Sequence, residues 1–224
     1  MTNKKGKLIS IEGVDGSGKG TQSKKIKEYL ESQGKKVALF EFPRYNNLIG
    51  QIIADYLKGQ YGSIEDVPKK LICLAYALDR KNAQDDIKKY LEDGYYVIRD
   101  RYTHSNLFCE AKLPENQWNK FIDWVEKMEF EECNIIKPDI TFYLYVDIHT
   151  TINRIESRGK RDYQDGKDDI HENNLDLLIN TAKCYLEYGK NRPSNKWINI
   201  NQSKEDGTVL SVEEVFEIIK DNID

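Results

Sequence analysis

Short apolar runs alternate along the chain with longer stretches in which apolar residues recur every three or four positions. The runs are Ile9-Ser10-Ile11, Val37 to Phe42, Tyr95 to Arg99, Ile140 to Val146 and Trp197 to Ile200. They are rich in β-branched and aromatic residues and end at turn-forming or charged positions, as buried strands do. Between them lie helical patterns. Ile26, Tyr29 and Leu30 fall on one face before Gly34, a residue suited to a helix end. Ile49, Ile52, Ile53, Tyr56 and Leu57 mark a short helix. Pro68 suits the first turn of another, which carries Leu71, Ile72, Leu74, Ala75 and Leu78 and then a more polar stretch to Gly94. Further helical stripes run through Trp118, Phe121, Trp124, Val125 and Met128, then Ile148, Ile152 and Ile155, then Leu175, Leu178, Ala182, Tyr185 and Leu186, and finally Val212, Val215, Phe216 and Ile219. Such alternation predicts an α/β fold, a five-stranded parallel sheet doubly wound with flanking helices.

A length of 224 residues suits one such domain over residues 1–224. Thirty-four basic residues against 38 acidic ones leave a net charge of -4, without the whole-molecule basic footprint of a nucleic-acid binder, so any anion site must be local. Cys73, Cys109, Cys133 and Cys184 lack metal-site spacing, and the three histidines do not join them, so free thiols in a reducing compartment are expected. The basic N-terminus precedes a strand too short for a signal sequence, and no apolar run approaches membrane-spanning length. The expected location is the cytoplasm, with no membrane partner.

The chemistry begins where the first strand ends. Gly13-Val14-Asp15-Gly16-Ser17-Gly18-Lys19 has the G-x-x-x-x-G-K spacing of a phosphate-binding loop. Its glycines let successive backbone N–H groups converge on phosphate oxygens, and a helix starting near Lys19 adds its positive end. Lys19 itself reaches the terminal phosphates. Gly20 stands where the strict pattern has a hydroxyl residue, and Thr21 follows it.

The third strand delivers Asp100-Arg101-Tyr102 to the same crevice, since ligands of open α/β sheets lie beyond the carboxyl ends of the strands. Asp147 also ends a strand, but the helical spacing directly after it makes it a helix N-cap in preference to a metal ligand. The Trp118 stripe reads as core or subunit contact. The polar, basic segment from Arg158 to Lys167 reads on its own as a solvated loop.

Taken together, these motifs resemble the thymidylate kinase family, within the nucleoside monophosphate kinases of the P-loop type, over nearly the whole chain. Four separated signatures carry the likeness: Glu12 through Gln22, Phe42-Pro43, Asp79-Arg80 with Tyr76 one helical turn earlier, and Asp100-Arg101-Tyr102 with Ser105-Asn106. The resemblance implies transfer of the ATP γ-phosphoryl group to thymidine monophosphate, with Mg²⁺, in a homodimer. It implies that Gly13 to Thr21 and Lys19 hold ATP, that Arg154 stacks on the adenine, and that Thr21 and Asp100 lie near the metal.

For the acceptor it implies Arg101 on the phosphate with Asp100 orienting it, Asp15 on the sugar hydroxyl, Tyr76 stacked on the base, and Arg80, Ser105 and Asn106 around its edge. Phe42, Pro43 and either Arg44 or Tyr45 complete that side. No arginine occupies the phosphate loop, so a lid over about residues 158–169 is expected to supply catalytic charge through Arg158 and Arg161, with Lys160 or Lys167 in reserve and Asp169 at its trailing edge. Cys109 stands where several relatives place an aromatic. Two rivals share the loop: a kinase for dUMP, CMP or AMP, and a GTPase-type switch. Asn119-Lys120 begins a guanine-reading motif but lacks its aspartate.

Overall fold

The computed structural model describes residues 5–158, 162–165, 169–191, 196–204 and 206–223. Five strands, β1 (Lys7–Glu12), β2 (Val37–Glu41), β3 (Tyr96–Asp100), β4 (Ile140–Tyr145) and β5 (Lys196–Asn201), form one parallel sheet in the order β2-β3-β1-β4-β5. β1 lies at the centre and is buried from Leu8 to Glu12, which is why its sequence is nearly continuous in apolar residues. Its two polar exceptions are both satisfied inside. Ser10 pairs with Thr141 across the β1/β4 seam at 2.8 Å. Glu12 accepts three hydrogen bonds, described below.

Alternation along the strands sends side chains to opposite faces. Ile9, Ile11, Ile98 and Phe142 pack under α1 (Lys19–Ser32) and the C-terminal helix, Val212–Lys220. Leu8 and Val97 pack on the other face against α2 (Leu48–Leu57), α3 (Lys69–Lys81) and α4 (Gln84–Glu92). The rest of that face is covered by α5 (Leu107–Glu110), α6 (Trp118–Glu126) and α8 (Leu175–Asn191), around Tyr143 and Tyr185. Between β4 and α8 comes α7 (Ile148–Arg158), and the closing helix is α9. No helix among the described residues is long and apolar enough to cross a membrane.

Two departures from the sequence pattern have physical reasons. The stretch from Pro68 to Gly94 is two helices, because α3 stops at Lys81 and α4 starts at Gln84 with Asp85 and Asp86 in its first turn, where acids favour a new N-terminus. The stripe ending at Met128 continues past α6 as a π-helical turn, Lys127–Glu132, which carries the buried Glu129 inward.

All five strands end on the same edge of the sheet. That edge carries Gly13 after β1, Phe42-Pro43 after β2, Arg101 after β3, Asp147 after β4 and Gln202 after β5. Asp147 is the N-cap of α7: Thr150 donates to it from both its N–H, at 2.9 Å, and its hydroxyl, at 2.6 Å. Those bonds hold its carboxyl below the ordinary range.

Candidate active site

The glycine-rich turn bends from β1 into α1 around backbone that only glycine adopts cheaply. Gly16 sits at φ 77°, and a Cβ there would lie 2.7 Å from the Thr151 carbonyl. The turn is tied from behind. Gln202 Nε2 donates to the Ser17 carbonyl at 2.8 Å, Arg154 Nη1 donates to the Gly16 carbonyl at 3.2 Å, and the buried Lys19 Nζ donates to the Val14 carbonyl at 2.7 Å. Gly16 to Gln22 line an open groove, with Arg154, Arg158, Asp100 and Arg101 on its other sides. The helix end and Lys19 make it an anion site.

Gly20 now has a reason. A Cβ at this position would meet Asp100 Oδ2 at 3.1 Å, so the missing side chain admits the carboxylate to the start of α1. Asp100 stands in register with Glu41 on the neighbouring strand, and both face the groove together with Thr21. These are hard oxygen donors. Among the described residues no group of three or more acidic, histidine or cysteine side chains forms a metal cage. One or two carboxylates, a hydroxyl and nucleotide phosphates are the donor set that suits Mg²⁺.

Arg101 is the hinge of the site. It adopts a left-handed backbone, φ 65°, anchored by its N–H to the Ile11 carbonyl at 3.1 Å. That turn aims the guanidinium back at the loop, where Nη2 meets Asp15 Oδ1 at 2.6 Å and Nη1 meets the Gly13 carbonyl at 3.4 Å. Beneath it, the fully buried Glu12 accepts from the Tyr102 N–H at 2.9 Å, Ser105 Oγ at 2.7 Å and the Tyr185 hydroxyl at 3.0 Å. Burial raises the Glu12 pKa, against the pull of those bonds and of Arg101.

A second cleft opens on the other side of Arg101. Tyr76 and Phe108 meet edge to face at 5.6 Å and form an aromatic wall with His171. Asp15, Arg80, Arg101, Ser105 and Asp169 supply its charged and polar positions. Arg101, Phe42, Pro43 and Tyr45 border both hollows, so the two meet at these residues. The Phe42-Pro43 peptide is cis.

Three expected residues sit differently from the rest. Arg44 faces neither hollow: its backbone N–H and Nε bond the Asp79 carboxylate at 2.8 and 3.0 Å, and Nη2 bonds the Asp79 carbonyl at 2.6 Å. Tyr45 is the neighbour that borders the hollows. Asn106 is fully buried behind the cleft wall, donating to the Cys73 carbonyl at 3.3 Å and to Glu129 at 2.6 Å. Arg80 lines the cleft, yet its Nε and Nη2 are held by the buried Glu129. Cys109 is also buried, off the cleft, and Phe108 takes the aromatic position there.

Of the lid residues, Arg158 borders the phosphate groove and pairs with Glu172 at 2.7 Å. Arg161, Lys160 and Lys167 lie outside the described residues. Tyr163, which sequence reasoning passed over, stacks on Tyr45 at 4.2 Å and donates its hydroxyl to Asp169. Burial, with Asp15 nearby, lifts the Asp169 pKa to about 6 despite that bond. Glu129 and Phe108 were also missed. Glu129 had a signal: it falls seven residues after Ile122 and four after Val125, an acid on an otherwise apolar stripe.

The comparisons with known proteins agree with this geometry. A family profile described as thymidylate kinase matches residues 11–209. The chain is 32% identical to the thymidylate kinase of Mycobacterium tuberculosis (strain H37Rv) over 206 residues, covering 91% of this chain and 95% of that one. It is 28% identical to the thymidylate kinase of Homo sapiens, covering 98% and 91%. The solved structure of Candida albicans thymidylate kinase superposes with a TM-score of 0.70 at 25% identity, over 99% of this chain and 94% of that one. With a profile spanning most of its length and two such hollows meeting at one arginine, the chain belongs to the thymidylate kinase family, enzymes that transfer a phosphoryl group to thymidine monophosphate.

Proposed function

We propose that ATP occupies the groove along the glycine-rich turn, that thymidine monophosphate occupies the aromatic cleft, and that the γ-phosphoryl group passes directly between them at Arg101. The single observation carrying this reading is that Arg101, Phe42, Pro43 and Tyr45 border both hollows. Phosphoryl transfer needs positioning and positive charge around the moving group more than it needs covalent chemistry. Lys19 and the loop amides hold the donor phosphates, and Arg154 and Gln202 brace the loop. Arg101, oriented by Asp15, binds the acceptor phosphate, and Arg158 adds charge from the lid side. Tyr76 stacks on the base with Phe108 beside it in the same aromatic wall, while Arg80 and Ser105 face its polar rim. Thr21, Asp100 and Glu41 would hold Mg²⁺, which neutralises phosphate charge when bound.

The whole chain acts as one catalytic unit with a lid near residues 158–169. It works as a homodimer, a proposal supported by Leu48 (78% exposed) and Leu71 (62%) with Ile52 and Leu74 on the adjoining faces of α2 and α3. The four buried free thiols support a cytoplasmic site of action. An ADP-release assay tests the core of the proposal. Arg101→Ala and Lys19→Ala should each lower kcat for thymidine monophosphate by about 10³-fold or more. A loss of less than about tenfold in Arg101→Ala would refute the shared-arginine geometry.

A further inference from the structure

Glu129 is a fully buried carboxylate, at 0% exposure like Glu12, and it sits on a π-helical turn. Such turns interrupt regular helices frequently at functional sites. An acid on the apolar stripe of a helix does not serve stability, because a well-packed hydrophobic residue there usually gives a fold at least as stable. Every hydrogen-bond partner recorded for the Glu129 carboxylate lies toward the acceptor cleft. Arg80 gives it Nε at 3.2 Å and also Nη2, and Asn106 gives it Nδ2 at 2.6 Å. On the opposite side is a small hollow lined by Leu107, Ile122, Val125 and Phe130, with no basic side chain but a buried His104 that desolvation keeps neutral. Arg80 is therefore the only cation in contact with Glu129 among the described residues.

We infer that Glu129 is a specificity-positioning residue: by clamping Arg80 from behind, it sets the hydrogen-bond polarity of the cleft that selects the pyrimidine. The inference rests on the acceptor-cleft assignment made above. A guanidinium only donates, so a clamped Arg80 welcomes an exocyclic carbonyl oxygen and rejects an exocyclic amino group at the same place. Two of its nitrogens are committed to Glu129, which leaves Nη1 outside the pair and removes the freedom to swing away from an ill-matched base. Asn106, behind the cleft wall, donates Nδ2 to both Glu129 and the Cys73 carbonyl and so holds the Glu129 carboxylate in place against Arg80. Among the described residues no other carboxylate pairs with Arg80.

The experiment is steady-state kinetics of the full-length enzyme at saturating ATP, with thymidine, deoxyuridine and deoxycytidine monophosphates as acceptors. The variants are Glu129→Gln, Glu129→Asp and Arg80→Gln, each checked for ATP affinity as a measure of an intact donor side. Glu129→Gln should raise the KM for thymidine monophosphate roughly tenfold or more with kcat changed by less than about threefold, and cut the preference over the cytosine acceptor by roughly tenfold. Glu129→Asp, which keeps the charge but shortens the reach, should fall between wild type and Gln. It supplies the same readout if the Gln variant does not fold. Unchanged KM and preference in both Glu129 variants, while Arg80→Gln loses preference, would overturn the inference and leave the cleft assignment standing. Equal losses on all three acceptors would also overturn it, as a purely structural effect. Preference retained in Arg80→Gln would instead sink the cleft assignment, and the inference with it.

Discussion

Arg99 offers a test of the energetics that does not depend on the reaction. Its side chain is fully buried on β3, and none of its three guanidinium nitrogens has a hydrogen-bond partner among the described residues. Three aromatic rings surround it instead, with the guanidinium carbon 4.1 Å from the Phe40 centroid, 5.3 Å from Phe42 and 5.4 Å from Tyr102. Desolvation of an unpaired ion costs several kcal/mol even after relaxation. At such a desolvated site the nearest ring returns about 2 kcal/mol and the two farther ones less, and repulsion from the nearby Arg44 adds to the cost. Arg99→Met keeps most of the volume and removes the charge, so it should stabilise the fold by about 2 kcal/mol. For a chain of this size that is a melting temperature higher by about 4–8 °C. Calorimetry at one pH and salt concentration is sufficient. A melting temperature lower by more than a few degrees would refute the reasoning and show that the aromatic cage outweighs desolvation.

Other predictions follow from the site. Asp169 has a folded-state pKa raised to about 6, so its protonated form stabilises the fold at pH below the ordinary carboxylate value, and that contribution is lost as pH rises through about 6. In urea titrations the stability of wild type relative to Asp169→Asn should grow by up to about 3 kcal/mol between pH 7.5 and pH 3.5, and a gap independent of pH would contradict the shift. Gly20→Ser restores the strict loop pattern but places a Cβ 3.1 Å from Asp100 Oδ2. It should lower kcat/KM about tenfold by displacing that carboxylate, whereas an equal or better rate would mean that the glycine serves no spacing role.

The sheet, the glycine-rich turn and the Asp100-Arg101 corner were legible in the sequence because each depends on local pattern: strand periodicity, glycine spacing, and the rule that ligands gather at strand ends. Asp147 was legible as a cap for the same reason. What stayed hidden depends on partners distant in sequence. Arg44 is claimed by Asp79, 35 residues away, and Arg80 by Glu129, 49 residues away. No local pattern chooses between those acids and the substrate's phosphate, for Arg44, or base, for Arg80. The break between α3 and α4 carries no glycine or proline, only Asp85 and Asp86, and Tyr163 gains a role only once Tyr45 is brought against it. Phe108 and Cys109 are adjacent in sequence, yet one faces the cleft and the other the core, a choice made by the short α5 turn.

The account's central claim is that the phosphoryl group moves in one direct step across the wall that the two hollows share. Its most direct measurement is the stereochemical course at phosphorus, using ATP made chiral at the γ-position with sulfur and oxygen isotopes and thymidine monophosphate as acceptor. A single in-line displacement predicts inversion of configuration in the product. Retention would mean that the group rests on the protein between two displacements, and would contradict the end-to-end arrangement around Arg101.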